Sequence, residues 1–277
     1  MRNLFLDLLY SEMEKNDKIY FLTADMGINL VEKFEKTFPK RYLNVGIAEQ
    51  NLIGVAAGLA ESGLKPFVYT ISNFLTQRCF EQIRNDVVLH DLPITMVGTS
   101  TGFDNAPLGP THHMLDDWGS IASLPKIRIG CPFDSDSVKR IFTATINNPK
   151  PSYIRIPKGI GYSLNQNVVP DKKNDQVIVS YGSATQYAIE YSKSQQIPIF
   201  LAEWLGMEIF GFLDSLDLKN YKKITVIEDH FANTGMYSYV CQWKNITNSK
   251  LEIKSVSPSN YQATIGADIF DFMEKIL

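Results

Sequence analysis

The groups in this sequence best placed to do chemistry are a carboxylate at a turn and a short run of histidines and aspartates. Glu49 lies in Asn44-Val45-Gly46-Ile47-Ala48-Glu49-Gln50-Asn51, which reads as a strand end, a turn and the first turn of a helix. The helix macrodipole favours a carboxylate there, so an acid facing water at a helix start is one reading. The helix behind it supports another. Gly54, Ala56, Ala57, Gly58 and Ala60 keep it small and apolar around most of its girth, suited to close packing in a core or a subunit interface. A carboxylate at the mouth of a buried helix needs a partner, and such a position is a candidate for proton handling. His112, His113, Asp116 and Asp117 form the second group. They would ligate a metal if their side chains converged.

The elements that must position these groups alternate in type. Ile19–Leu22, Phe67–Thr70, Ile94–Val97, Ile127–Ile129 and Tyr153–Ile156 are rich in β-branched and aromatic residues and bounded by turn signals, so they read as buried strands. Helical stretches fall between them at Leu4–Glu14, Ile47–Glu61, Phe74–Leu89 and Ser135–Ile146. Asp134 is placed to cap the last. This alternation implies an α/β fold with mostly parallel sheets flanked by helices. A polar stretch, Lys158–Asp175, contains Gly159, Gly161, Pro170 and Asp171-Lys172-Lys173-Asn174-Asp175. The pattern then resumes with Val177–Val179, Ile197–Leu201, Ile224–Ile227 and Leu251–Ile253. The expected organisation is a first domain over 1–160, a linker over 161–175 and a smaller domain over 176–277.

Bulk properties narrow the function classes. The 277 residues carry a net charge of −3 and 44% hydrophobic residues, an ordinary globular composition. There is no dense Lys/Arg stripe, so no nucleic-acid partner is expected. Cys79, Cys131 and Cys241 are odd in number and far apart, offering neither a disulfide framework nor zinc spacing. They read as reduced thiols of a cytoplasmic protein. Leu4-Phe5-Leu6 is broken by Asp7 and does not read as a signal peptide. No apolar run approaches membrane-spanning length.

Four segments, in order, resemble the second half of transketolases and deoxyxylulose-phosphate synthases: Gly46-Ile47-Ala48-Glu49-Gln50-Asn51 with the Gly-x-Ala-x-Gly-Leu-Ala helix, Gly109-Pro110-Thr111-His112-His113, Pro151-Ser152-Tyr153-Ile154-Arg155, and Val226-Ile227-Glu228-Asp229-His230 with Thr234-Gly235-Met236. The resemblance covers nearly the whole chain. It implies a pyrimidine-binding domain followed by a transketolase C-terminal domain, and thiamine diphosphate as cofactor. In this family the glutamate matched by Glu49 hydrogen-bonds a ring nitrogen of the aminopyrimidine and promotes deprotonation of the thiazolium carbon, with the carbanion chemistry supplied by the cofactor.

The resemblance assigns further residues. Phe74 matches the aromatic that packs on the pyrimidine, although a core phenylalanine is the commoner role. Ile71 falls where many relatives have a second aromatic, giving an aliphatic wall. Aligning Thr76–Arg78 needs a one-residue gap. Asp25 matches an aspartate near the cofactor, with a turn or cap role as the alternative. His112 matches the histidine that handles the substrate oxygen, with His113 either a second polar contact or simply a satisfied neighbour. Arg155 matches the arginine that grips the sugar phosphate, a task suited to a planar, permanently charged fork; a surface arginine at a strand end is the alternative. Asn29 and Ser100 fall near two more phosphate positions, where the family usually has serine and histidine. Leu108 stands where most transketolases have an aspartate that reads a donor hydroxyl.

The family's Gly-Asp-Gly segment, which holds magnesium and the diphosphate, does not occur in this sequence. The resemblance therefore implies a split enzyme. A separate N-terminal subunit would hold Mg2+ and the diphosphate, this chain would hold no metal, and self-association would give a two-plus-two assembly. The expected activity is transfer of a two-carbon ketol unit between sugar phosphates. A deoxyxylulose-phosphate synthase, a 2-oxoacid dehydrogenase beta subunit and a non-catalytic regulatory subunit are the other readings.

Overall fold

The computed structural model describes residues 1–158 and 174–259, so most of the expected linker at 161–175 lies outside the described residues. The chain opens with helix α1 (Arg2–Met13), strand β1 (Ile19–Thr23), α2 (Glu32–Thr37) and β2 (Tyr42–Asn44). It continues through α3 (Glu49–Glu61), β3 (Lys65–Ile71), α4 (Ser72–Thr76) and α5 (Phe80–Gln82). Then come β4 (Thr95–Thr99), α6 (Asp117–Ile121), β5 (Arg128–Gly130), α7 (Ser135–Asn147) and β6 (Ser152–Ile156). The second part holds β7 (Gln176–Ser180), α8 (Ala184–Gln195), β8 (Ile199–Leu201), β9 (Trp204–Leu205), α9 (Glu208–Ser215), β10 (Lys223–Ile227), α10 (Met236–Thr247) and β11 (Glu252–Val256).

These strands make two sheets, ordered β2-β1-β3-β4-β6-β5-β9 and β11-β10-β7-β8. All pairings are parallel except β5 with β9. The central strands are apolar along almost their whole length because helices cover both faces. On one face Phe5, Leu9, Phe34, Phe67 and Phe142 form an aromatic-rich cluster. On the other, Leu52, Ile53, Ala56 and Ala60 of α3 pack with Val68, Met96 and Val87 in a core that runs on into Val177, Val226 and Val240. Helix α7 starts as expected: Asp134 Oδ1 accepts from Ser137 N at 2.7 Å and Asp134 N donates to Ser137 Oγ at 2.9 Å, a reciprocal cap.

Two departures from the sequence reading matter. The helix expected over Phe74–Leu89 is broken into α4, a turn, α5 and a π-turn over Ile83–Val88. A π-turn takes in more residues than an α-turn, and this one lies beyond α5 from the segment where the resemblance needs a gap. Second, β9, though it comes after the expected domain boundary, adds antiparallel to the edge of the first sheet, with Ile129 opposite Leu205 and Gly130 opposite Trp204.

Candidate active site

In parallel sheets, ligands sit beyond the carboxyl ends of the strands, where the strand order reverses. Here the order reverses around β1 and β3, since β2 lies on one side and β4 on the other. Nearly every candidate residue lies beyond these strand ends. Asp25 and Asn29 follow β1, Glu49 follows β2, Phe74 follows β3, and Ser100, His112 and His113 follow β4, while Ile71 is the last residue of β3. The backbone there is unusual: Asp25 (φ 43°), Asn29 (φ 66°) and Ser100 (φ 65°) are left-handed, a conformation that tends to persist at functional sites when the surroundings enforce it. Asn44 Oδ1 accepts from Asp25 N at 2.9 Å and from Gly46 N at 3.0 Å, fastening the turns after β1 and β2 to each other. Asp25 itself is exposed.

Glu49 opens α3 and is only 5% exposed. It lines a cleft of about 380 Å3 with Ile47, Ala48, Gln50, Asn51 and Arg78. Arg78 Nη1 donates to Glu49 Oε2 at 3.1 Å, and the guanidinium carbon lies 3.9 Å from the centre of the Phe74 ring. Gln50 Nε2 holds the Arg78 carbonyl at 2.9 Å. Phe74 also meets the His112 ring in a T-shaped contact, with centroids 5.8 Å apart. Thr111 Oγ1 lies 3.0 Å from His112 Nδ1. Asn73 Nδ2 donates to the carbonyls of His113 (2.9 Å) and Thr111 (3.3 Å), strapping the histidine loop onto α4. A carboxylate, a planar aromatic and a histidine thus come together from three separate segments that follow β2, β3 and β4.

Comparison with known proteins places the chain as a whole in a family. Residues 1–162 match the family model "Transketolase, pyrimidine binding domain". The chain belongs to the transketolase family. It is 31% identical over 248 residues to the 1-deoxy-D-xylulose-5-phosphate synthase of Halothermothrix orenii, covering 83% of this chain and 38% of that protein. Against the synthase of Dictyoglomus thermophilum it is 31% identical over 261 residues, covering 88% and 42%. The chain therefore spans about two fifths of these relatives' length. A split-gene transketolase, solved as an inactive β4 tetramer, superposes with a TM-score of 0.82 at 24% identity, covering 99% of this chain and 94% of that one. A transketolase variant from Pichia stipitis gives 0.75 at 18% identity, over 99% of this chain and 43% of that one. The fold is thus that of the thiamine-diphosphate-type transketolase and deoxyxylulose-phosphate synthase group.

Within this transketolase fold, the other sequence-derived residues lie in different surroundings. Arg155 is not available to a phosphate. It lies inside β6, fully buried, with Nε 2.8 Å from Asp117 Oδ2, Nη1 3.0 Å from Asp229 Oδ1 and Nη2 3.1 Å from the Met114 carbonyl. Tyr153 Oη adds a bond to Asp117 at 2.7 Å, and Ser183 bonds Asp229. Gly102 (φ +55°) has no room for a side chain, since a Cβ there would lie 2.0 Å from Asp229 Oδ2. Arg155 therefore ties the first sheet to the second part of the chain. His113 is also buried, its ring 5.1 Å from Phe103, so it does not project beside His112. Asn29 gives its backbone N–H to Glu32 at 2.6 Å and lines a small cleft with Asn3 and Asp7 of α1, apart from Glu49. Ser100 is buried, with its hydroxyl unbonded. Among the described residues no three His, Cys, Asp or Glu side chains are grouped to hold a metal; Asp117 is committed to Arg155.

Two further cations carry no assignment from the sequence. Arg78 lay in the gap, where no register could be fixed. Lys158 follows β6 directly and is exposed. Its ammonium bonds the Asn105 side chain, its N–H donates to Asp104 Oδ2 at 2.7 Å, and partial burial lowers its pKa. The available sign was spacing: Lys158 is the next cation after Arg155 and lies beyond the strand instead of within it.

Proposed function

We propose that this chain is the C-terminal subunit of a split transketolase-like enzyme that transfers a two-carbon ketol unit between sugar phosphates. The observation that carries this reading is the buried Glu49 at the start of α3, one guanidinium away from the Phe74 face. The site suits an aminopyrimidine: a planar nitrogen donor already lies between the carboxylate and the ring. Glu49, Phe74 and Ile71 would hold the pyrimidine, and Asp25 would stand at the neighbouring turn. Thiamine diphosphate, when bound, supplies the carbanion chemistry. Glu49 holds or gives a proton at a ring nitrogen, from a site where desolvation strengthens the interaction. Phe74 sets the ring plane. His112, held through Thr111 and Phe74, moves a proton at the substrate oxygen.

Lys158, in place of Arg155, is the cation that meets the sugar phosphate. Leu108, 58% exposed, cannot accept a hydrogen bond, so the donor hydroxyl is read elsewhere. An N-terminal subunit would contribute the diphosphate and Mg2+ site. Ile28 and Ile47, 83% and 77% exposed, lie in the loops after β1 and β2 and would be covered by a partner chain; self-association would complete the assembly. The 31% identity to the synthases favours one second reading, a 1-deoxysugar-forming reaction.

The experiment is turnover by this chain mixed with a candidate diphosphate-binding subunit, supplied with either a ketose phosphate or a 2-oxoacid donor. Ketol transfer that falls at least about 100-fold in Glu49→Gln is the expected result. Full turnover by Glu49→Gln would remove the catalytic assignment, and activity only with the 2-oxoacid would select the second reading.

A further inference from the structure

We infer that Arg78 is a built-in competitor for the aminopyrimidine, a side chain that closes the cofactor slot of this chain until a ligand displaces it. The inference rests on the reading of Glu49 and Phe74 given above. Two contacts define a slot for an aminopyrimidine: a hydrogen bond to the buried carboxylate and a stack on the aromatic face. One guanidinium holds both. Its Nη1 is 3.1 Å from Glu49 Oε2, and its carbon is 3.9 Å from the Phe74 centroid. A guanidinium is planar, donates N–H and stacks on rings, so it reproduces the two recognition features of the ligand from within the protein.

The chain brings Arg78 there by local means. It lies in the turn between α4 and α5, just ahead of the π-turn at Ile83–Val88. The Gln50 side chain, one residue beyond Glu49, holds its carbonyl at 2.9 Å. The main chain of Arg78 is therefore fixed, while its side chain is half exposed and free to swing toward solvent. Both contacts are of the modest kind. The guanidinium is half exposed, so it can exchange both contacts for hydration when it swings out. Displacement is therefore within reach of a ligand that makes the same two contacts better.

The test uses the full chain and a neutral probe, 4-amino-5-hydroxymethyl-2-methylpyrimidine, so that loss of the arginine charge has no direct Coulomb effect on binding. Affinity is measured by ligand-observed NMR for wild type, Arg78→Met, Arg78→Lys and Phe74→Ala, with thermal melting to confirm that each is folded. Arg78→Met is expected to bind about tenfold tighter than wild type. Arg78→Lys, which keeps the charge but not the plane, should fall between them, and Phe74→Ala should lose binding. Equal or weaker binding by Arg78→Met, including no detectable binding by any form, overturns the inference. If Phe74→Ala binds as well as wild type, the site reading itself fails; if only the Arg78→Met gain is missing, the competitor role alone falls.

Discussion

Replacing Arg155 with methionine separates two readings of that residue. The side chain is fully buried, and both of its carboxylate partners, Asp117 and Asp229, are fully buried too. Methionine fills much of the volume but leaves two carboxylates without their counter-ion. Breaking a buried ion pair by removing one partner costs roughly 3–5 kcal/mol, against a total stability of about 5–15 kcal/mol for a typical native protein. At about 2–4 °C per kcal/mol, the melting temperature should drop by at least about 6 °C in calorimetry. Because the network joins β6 to Asp229 beyond β10, the loss should appear in both parts of the chain. Replacing the whole set, Arg155→Met with Asp117→Leu and Asp229→Leu, should recover much of the loss, as removing all the charges together removes the desolvation penalty. A single variant that melts within about 1 °C of wild type while raising KM for a phosphorylated sugar would refute the reasoning and restore Arg155 to the phosphate.

Other outcomes follow from the same geometry. Lys158→Met should raise KM for phosphorylated substrate about tenfold or more with little change in melting temperature, checked by steady-state kinetics of the assembled enzyme. Gly102→Ala should destabilise the chain by at least about 1–2 kcal/mol from its left-handed backbone alone, and by more from the clash with Asp229; urea unfolding reads this. Burial raises the pKa of Glu228 from 4.5 to about 7, so between those values the folded chain binds more protons than the unfolded one. The Glu228 contribution therefore favours folding below about pH 4.5 and is lost as pH rises through about 7. Wild type should lose roughly 2–3 kcal/mol more than Glu228→Gln over this interval, as read by urea midpoints at pH 4.5 and pH 7.5.

The alternation of apolar runs and helical stretches was enough to place nine of the eleven strands among the described residues, because strands buried on both faces must be apolar throughout. The two not found, β2 and β9, have three and two residues and are fixed by pairing, which a local pattern does not record. The turns that carry chemistry were legible as motifs around Glu49 and His112. Their convergence was not: Asn44, Asn73 and Gln50 tie together loops from separate parts of the sequence, and each looks like an ordinary polar residue in one dimension.

The sequence by itself determined the α/β class and the carboxylate at the head of α3, since these rest on residue type, period and short-range spacing, and four ordered motifs carried the resemblance to the family. Only the tertiary structure decided what each cation faces. Arg155 and Lys158 are three residues apart in one segment, yet one lies inside the sheet between two aspartates and the other lies past its edge. Arg78 falls where sequence register is ambiguous, yet it rests between Glu49 and Phe74. The reason is that a charge's role depends on what surrounds it in space, on burial and on the position of the opposite charge, and that information is carried by packing between distant segments.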